Sequence, residues 1–206
     1  MISSLSNPLV KQICLLQKKA SLRQEEGLFV VEGKRFAEEI PSERLVRAFV
    51  TADFAASREG AALAERLQAE SVSESVMAKM ADTQTPQGIL ALVRRQEGGQ
   101  ESFGPGPLLL LERVQDPGNL GTLFRTAEAA GAGGLILDEA CVDPYSPKVL
   151  RATMGGIFRL PFRVVPDLRV EMKALQRQGY QLYAPGQGRS NSRSMLALTI
   201  SSTLSL

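Results

Sequence analysis

The chain contains no histidine and no tryptophan, and only two cysteines among its 206 residues. Without imidazole, the usual general base at neutral pH and the commonest metal ligand are both missing, so any chemistry must run on other groups. Cys14 and Cys141 stand far apart with no CxxC pairing, which suggests neither a zinc site nor a disulfide framework. Both are expected as small buried hydrophobes, and no bound metal is expected. Aromatic residues make up 5% of the chain, too few for a base-stacking platform as the main grip on a nucleic acid. No apolar run approaches the roughly 20 residues of a membrane span. The N-terminus MISSLSNPLVKQ also lacks the basic-then-apolar order of a signal peptide. These absences predict a cytoplasmic protein with no membrane partner. A large net charge is missing too: 24 Lys and Arg against 22 Asp and Glu leave a formal +2, so any contact with polyanions must come from local patches.

What is present is the composition of a globular protein. Hydrophobic residues at 44% and charged residues at 22% suffice for one large core or two small ones. The stretch QEGGQESFGPGP, residues 96–107, is poor in apolar residues and rich in Gly, Pro and charge, which reads as a linker between domains 1–95 and 108–206. In the first part, Leu9, Ile13 and Leu16 recur at helical spacing after SNP, with Pro8 near the first turn. LFVVEG, LVRAFVT and GILALV read as short strands, alternating with helical stretches such as SREGAALAERLQA. In the second part, LLLLE is a continuous apolar run of the kind found in strands covered on both faces. GLILDE, RLPFRVV and YQLYAP follow as strands. Between them lie SPKVLRATMGGIF, with Ser146 as cap and Pro147 first in the helix, and LRVEMKALQRQ, capped by Asp167 and stopped by Gly179. This alternation predicts an α/β fold, a small α/β domain followed by one with a parallel sheet and right-handed crossovers. Residues 186–206, GQGRSNSRSMLALTISSTLSL, show neither period and form an atypical tail without another strand–helix pair.

The helix after LLLLE grows out of VQDPGNLGTLFRTAEAAG, residues 114–131. A loop at the carboxyl end of the first strand lies where such folds bind ligands. Gly118 and Gly121 would let the backbone approach a ligand. The helix start behind Asn119 would offer unpaired N–H groups to an anion or sugar-phosphate. Arg125, within about two turns of that start, has the reach to clamp a phosphate with both guanidinium nitrogens. The spacing is neither the dinucleotide fingerprint nor a P-loop. A plain structural reading stays open beside this one: Asp116, Pro117 and Gly118 make a turn, Asn119 caps the helix and Arg125 is a solvated helix residue. Either way the helix is expected to bury Leu120, Leu123, Phe124, Ala127 and Ala130, and to end at Gly131.

VQDPGNLGTLFRTAEAAG, together with VDPYSPKVLRATMGGIFRLPF, resembles the SpoU/TrmH family of RNA 2′-O-ribose methyltransferases, of the SPOUT class, whose first motif is an Asn-x-Gly followed by Arg-Thr-Ala. NPLVKQICLLQKK, FVVEGKR and TPQGILALV resemble that family's N-terminal substrate-binding domain, which has the fold of ribosomal protein L30e. The resemblance implies an L30e-like domain followed by an α/β-knot methyltransferase domain. It implies methyl transfer from S-adenosylmethionine to a ribose 2′-hydroxyl of ribosomal or transfer RNA, and a homodimer. It places Arg125 and Asn119 at the catalytic positions of the first motif. A guanidinium with a pKa above about 12 is a poor base, so Arg125 is expected to grip the target phosphate and polarise the hydroxyl.

The resemblance also implies two later motifs that form most of the cofactor pocket. One is a Gly-Asn-Glu-Gly loop, the other a Ser-Leu-Asn segment that threads a trefoil knot. Neither is found in residues 186–206, so the cofactor-binding residues stay unassigned and a shifted frame or early stop near residue 185 is the expectation. Two alternatives remain at this point: a catalytically inactive, truncated RNA-binding relative, and a small nucleotide-binding domain.

Basic residues gather in two regions. Lys18 and Lys19 close the first helix, with Lys11 nearby, and Lys34 and Arg35 follow in EGKR. Glu25, Glu26, Glu32, Glu38 and Glu39 dilute this group, so a solvated face is an equal reading. In the second domain Lys148, Arg151, Arg159, Arg163, Arg169 and Lys173 outnumber Asp167 and Glu171. That is the better footprint for RNA phosphates.

Overall fold

The structure, a computed structural model, describes residues 1–96 and 103–183 and the backbone of 196–201. Much of the expected linker and of the atypical tail, at 97–102, 184–195 and 202–206, lies outside the described residues. The chain divides into two compact units, Met1–Gln96 with Tyr145–Pro147 in one and the remainder in the other.

In the first unit, α1 (Pro8–Lys18) begins where the Asn7 side chain accepts the Leu9 N–H, with Pro8 in the first turn. Val10, Ile13 and Leu16 form its buried face. α2 (Ala20–Glu26) ends on Gly27 at φ +65°. Then follow β1 (Leu28–Glu32), α3 (Lys34–Glu38), β2 (Leu45–Val50), α4 (Ala52–Ala56), α5 (Arg58–Arg66), β3 (Glu70–Ser71), α6 (Glu74–Met80) and β4 (Ile89–Arg94). The three longer strands are those read from the sequence, whereas β3, two residues long, is too short to carry a period. The sheet order is β1-β4-β2-β3, with β4 antiparallel to β1 and β2, and β2 parallel to β3. Ile13, Leu16, Phe49, Val76, Met77 and Met80 join one core with Leu90 and Leu92 of β4. Arg23, 4% exposed, donates to the Gln17 carbonyl at 3.2 Å, satisfying an open acceptor at the end of α1.

The second unit contains β5 (Leu108–Leu111), α7 (Pro117–Ala129), β6 (Gly134–Asp138), α8 (Pro147–Thr153), α9 (Gly156–Arg159), β7 (Phe162–Val165), α10 (Leu168–Arg177), β8 (Tyr180–Tyr183) and β9 (Leu196–Ser201). β5, β6 and β7 are parallel and adjacent. Right-handed crossovers put α7, α8 and α9 on one face of this sheet and α10 on the other. Leu108, Leu110 and Ile136 pack with Leu168 and Leu175 of α10, and Phe124 of α7 meets Phe162 edge-on at 5.1 Å.

The structure differs from the sequence reading in three places. β8 does not pair with β5: β9 lies between them, antiparallel to both, so the sheet is mixed, in the order β7-β6-β5-β9-β8. A strand in the tail escaped notice because a run of six residues shows no decisive period. SPKVLRATMGGIF is two helices, because Met154 at φ +49° and Gly155 at φ +87° break the spiral. Ser146, expected to cap the first of them, has a buried Oγ with no hydrogen-bond partner among the described residues.

The glycines before β5 make a packed contact. Gly104 N–H donates to the Gly133 carbonyl at 2.9 Å, and a Cβ on Gly106 would lie 2.7 Å from the Gly133 nitrogen. Gly106→Ala is therefore expected to destabilise the protein by about 1–3 kcal/mol through overpacking. The measurement is urea unfolding; an unchanged midpoint would show that the two segments separate without cost.

Candidate active site

The carboxyl ends of β5, β6 and β7 lie at one edge of the sheet, and the loop after β5 leads into α7. Asp116, at φ −79° and ψ 123°, is the residue that caps this helix, and Pro117 with its fixed φ is the first helical residue. The Asp116 carboxylate accepts the Asn119 N–H at 2.7 Å, and the Asp116 carbonyl accepts the Leu120 N–H at 3.0 Å. Asn119 is thus not the cap. Nor is the helix start behind it open to an anion as the sequence suggested, since a carboxylate already occupies the positive end of the dipole. The buried face of α7 is Leu120, Gly121, Phe124 and Ala127. Leu123 is half-buried and Ala130 exposed, and Gly131, at φ +70°, follows the helix end as expected. Asn119 and Arg125 are both exposed. Six residues apart, they are separated by about 9 Å along the axis and about 120° around it.

Gly121 serves packing. A Cβ there would lie 2.8 Å from the carbonyl carbon of Ala152 and 3.0 Å from its Cα, so the glycine lets α7 rest directly on α8. Arg151, exposed in the last turn of α8, is next to that crossing, and Lys148 lies one turn before it. Arg125 lies one turn beyond Gly121 on α7. These cations therefore sit near one helix crossing.

The loop before α7 is fastened to the loop after β6. Arg113 N–H donates to Asp138 Oδ1 at 3.0 Å, Val114 N–H donates to Cys141 Sγ at 3.3 Å, and Val142 N–H donates to the Val114 carbonyl at 2.8 Å. Arg113 holds φ +53°, a left-handed conformation that residues with a Cβ seldom adopt. Burial, then the bond to Asp138, pushes the Cys141 thiol from 9.0 up to about 12. Both Cys14 and Cys141 are free and half-buried rather than fully buried. The sequence reading missed Arg113, Asp138 and Cys141 as parts of this edge; the one signal was an acidic residue ending an otherwise apolar strand.

Ion pairs redistribute the expected basic footprint. Arg159 grips Glu128 with two nitrogens, the Nη2–Oε2 contact at 3.0 Å, and Arg163 pairs with Glu171 while lying 5.0 Å from the Phe103 ring centroid. These two cations tie helices and strands together. Arg169 and Lys173 carry no ion pair among the described residues, and their side of the unit holds Asp167, which caps α10 through the Arg169 N–H at 2.8 Å. In the first unit Lys18, Lys19 and Arg35 are exposed. Lys34 pairs with Glu59 and lies 3.8 Å from Glu38; the hydrogen bond to Glu59 lifts its ammonium above 10.5. The segments FVVEGKR and TPQGILALV meet here: Glu32 accepts the Asp82 N–H at 2.8 Å, and Gln87 accepts the Lys34 N–H at 2.9 Å.

A cleft of about 520 Å³ opens at the sheet edge between Glu112, Arg113, Asp138, Glu139, Ala140, Pro166, Asp167, Leu168 and Arg169. Among the described residues no group of three or more His, Cys, Asp and Glu is placed to hold a metal ion.

Comparison with known proteins places this geometry. Residues 106–203 match the SpoU rRNA Methylase family, and residues 7–91 match the MRM3-like substrate binding domain. The chain is 38% identical over 191 residues to an uncharacterized tRNA/rRNA methyltransferase of Synechocystis, covering 89% of this chain and 69% of that one. It is 32% identical over 185 residues to the 23S rRNA (guanosine(2553)-2′-O)-methyltransferase RlmP of Bacillus subtilis, covering 88% and 71%. An AdoMet-bound rRNA methyltransferase from Sinorhizobium meliloti superposes with a TM-score of 0.68 at 29% identity, over 85% of this chain and 67% of that one. The SpoU methyltransferase AviRb from Streptomyces viridochromogenes, in complex with AdoMet, gives 0.72 at 25%, over 84% and 68%.

The thiol of Cys141 makes stability depend on pH in a stated direction. The folded thiol keeps its proton to about 12 while the unfolded one releases it near 9.0. Its contribution is therefore complete below pH 9 and is lost as pH rises toward 12. Cys141→Ala is expected to flatten the loss of stability over that window, measured by urea unfolding at successive pH values. Parallel curves for the two proteins would remove Cys141 as its source.

Proposed function

The chain belongs to the SpoU rRNA methylase family, and on that premise we propose that it methylates a ribose 2′-hydroxyl of ribosomal RNA, with Arg125 gripping the target phosphate and Asn119 orienting the sugar. RNA is its substrate and S-adenosylmethionine its methyl donor. The observation that carries the residue assignment is the contrast among its arginines. Arg159 and Arg163 are spent on Glu128 and Glu171, whereas Arg125, exposed on α7 beside the loop at the carboxyl end of β5, has no ion-pair partner among the described residues.

S-adenosylmethionine, when bound, supplies an electrophilic methyl group. The cleft residues fit it incompletely. Glu112 and Glu139 suit ribose hydroxyls or an ammonium, and Arg113 and Arg169 suit a carboxylate. Asp138 and Asp167 are already committed to backbone N–H groups, and Ala140, Pro166 and Leu168 are the apolar residues of the lining. What the chain itself supplies is orientation. With no histidine in the sequence, imidazole is not the acceptor of the hydroxyl proton. The Arg125 guanidinium holds the phosphate, fixing the sugar against it. The Asn119 amide, exposed in the first turn, offers both a donor and an acceptor to the ribose.

Residues 1–95 serve as the RNA substrate-binding domain, 96–107 as the linker and 108–206 as the methyltransferase domain in this reading. Lys18, Lys19, Arg35, Lys148 and Arg151 contact phosphates, and Lys34 does so more weakly because Glu59 and Glu38 hold its ammonium. The protein works as a homodimer in the cytoplasm. Exposed Met154, Val170 and Tyr183 in the second unit support association. The free cysteines fit a reducing compartment, and no described helix is long and apolar enough to cross a membrane.

Arg125→Ala is expected to abolish transfer of labelled methyl groups to ribosomal RNA while leaving the thermal unfolding curve in place; a folded, active variant would end the assignment. Lys148→Ala is expected to lower the slope of log affinity for RNA against log salt by about one unit, and Lys34→Ala by less. Equal effects would show that the Glu59 pair does not compete with phosphate.

A further inference from the structure

We infer that Asp138 is a positioning residue for this site: its carboxylate, by holding the Arg113 N–H, sets where α7 begins and hence where Asn119 and Arg125 stand. The inference rests on the function proposed above. β6 is apolar and fully buried through Leu135, Ile136 and Leu137, and ends in Asp138, 9% exposed. A carboxylate so placed is costly unless it accepts hydrogen bonds. It accepts the Arg113 N–H at 3.0 Å, and its own carbonyl accepts the Cys141 N–H at 3.1 Å.

Arg113 at φ +53° is a strained residue. The bond to Asp138 holds it there, and that conformation turns the chain from β5 toward α7. Val114 is then held on both sides, its N–H by Cys141 Sγ and its carbonyl by Val142 N–H. Gln115 follows, and then Asp116, whose carboxylate caps α7. One residue, Gln115, separates the latch from the cap, so a shift at Arg113 passes directly to the helix. At the far side of Asn119, Gly121 rests on Ala152. The first turn of α7 is thus fixed from both directions, by the latch before it and by the helix contact behind it. The same carboxylate also bonds the Cys141 thiol, whose Sγ holds the Val114 N–H, so both of its contacts act on the loop before α7.

The test uses the full chain. Asp138→Asn keeps an oxygen that can accept the Arg113 N–H; Asp138→Ala removes it. Methyl transfer to ribosomal RNA, RNA affinity, and hydrogen exchange of the Val114 and Asn119 amides are measured for both. For Asp138→Ala, kcat is expected to fall about a hundredfold through misplacement of the catalytic helix, with RNA affinity within about threefold of the unaltered protein. Exchange at Val114 and Asn119 should quicken about tenfold or more. Asp138→Asn should restore all three. An unchanged kcat in Asp138→Ala, an equal loss of affinity and kcat, or an Asn variant as impaired as the Ala variant would overturn the inference.

Should Asp138→Ala fail to fold, the double variant Arg113→Gly with Asp138→Ala is measured instead, because glycine takes a positive φ without strain. The same outcomes decide. If the unaltered chain transfers no methyl group, the proposed function fails on its own. The exchange rates still judge the latch, and equal rates in Asp138→Ala and the unaltered protein would refute it.

Discussion

The contact between Gly121 and Ala152 is the constraint on which the second unit's site depends. Two helices that follow successive parallel strands must both cover the same sheet face, and their spacing there is normally set by side chains. Here one position carries no Cβ, and α7 comes close enough that any larger residue would overlap the Ala152 backbone. That approach fixes the distance between the exposed face of α7, with Asn119 and Arg125, and the end of α8, with Arg151 and Lys148. The site is therefore built from helices on a rigid sheet, with a short loop before α7 that is itself pinned to its neighbour.

Charge pairing decides which cations remain for a ligand. A surface ion pair contributes little to stability, yet it removes a cation from the pool that a polyanion meets. Arg159 on Glu128 and Arg163 on Glu171 are structural links within the unit, and Lys34 on Glu59 is a link between α3 and α5. What is left on the second unit is a smaller and more local positive patch than the sequence counts suggest. That agrees with a chain whose net charge is only +2.

Much was legible from residues alone. The strands LFVVE, LLLL and GLILD, the helix start at Pro8, the cap Asp167, and the helix stops Gly131 and Gly179 all act within a few neighbours, and such local preferences are written into short stretches of chain. The likeness of VQDPGNLGTLFRTAEAAG to a methyltransferase motif was equally visible, as was the place of Arg125 on a helix after the first strand.

Other features depended on partners distant in sequence. Gly121 could equally have faced a ligand, and only its meeting with Ala152 shows a packing role. Asn119 was the expected cap and Asp116 part of a turn; the loop geometry set by Asp138 and Cys141 places Asp116 at the helix start instead. The antiparallel seat of β9 between β5 and β8 follows from strand pairing that no period in LALTIS announces. The sequence by itself determined which long segments form helices and strands and where several of them stop, because turns and hydrophobic periods are local. Tertiary structure decided which glycine packs, which arginine is spent and which carboxylate holds the loop before α7, because each requires two segments brought together by the sheet.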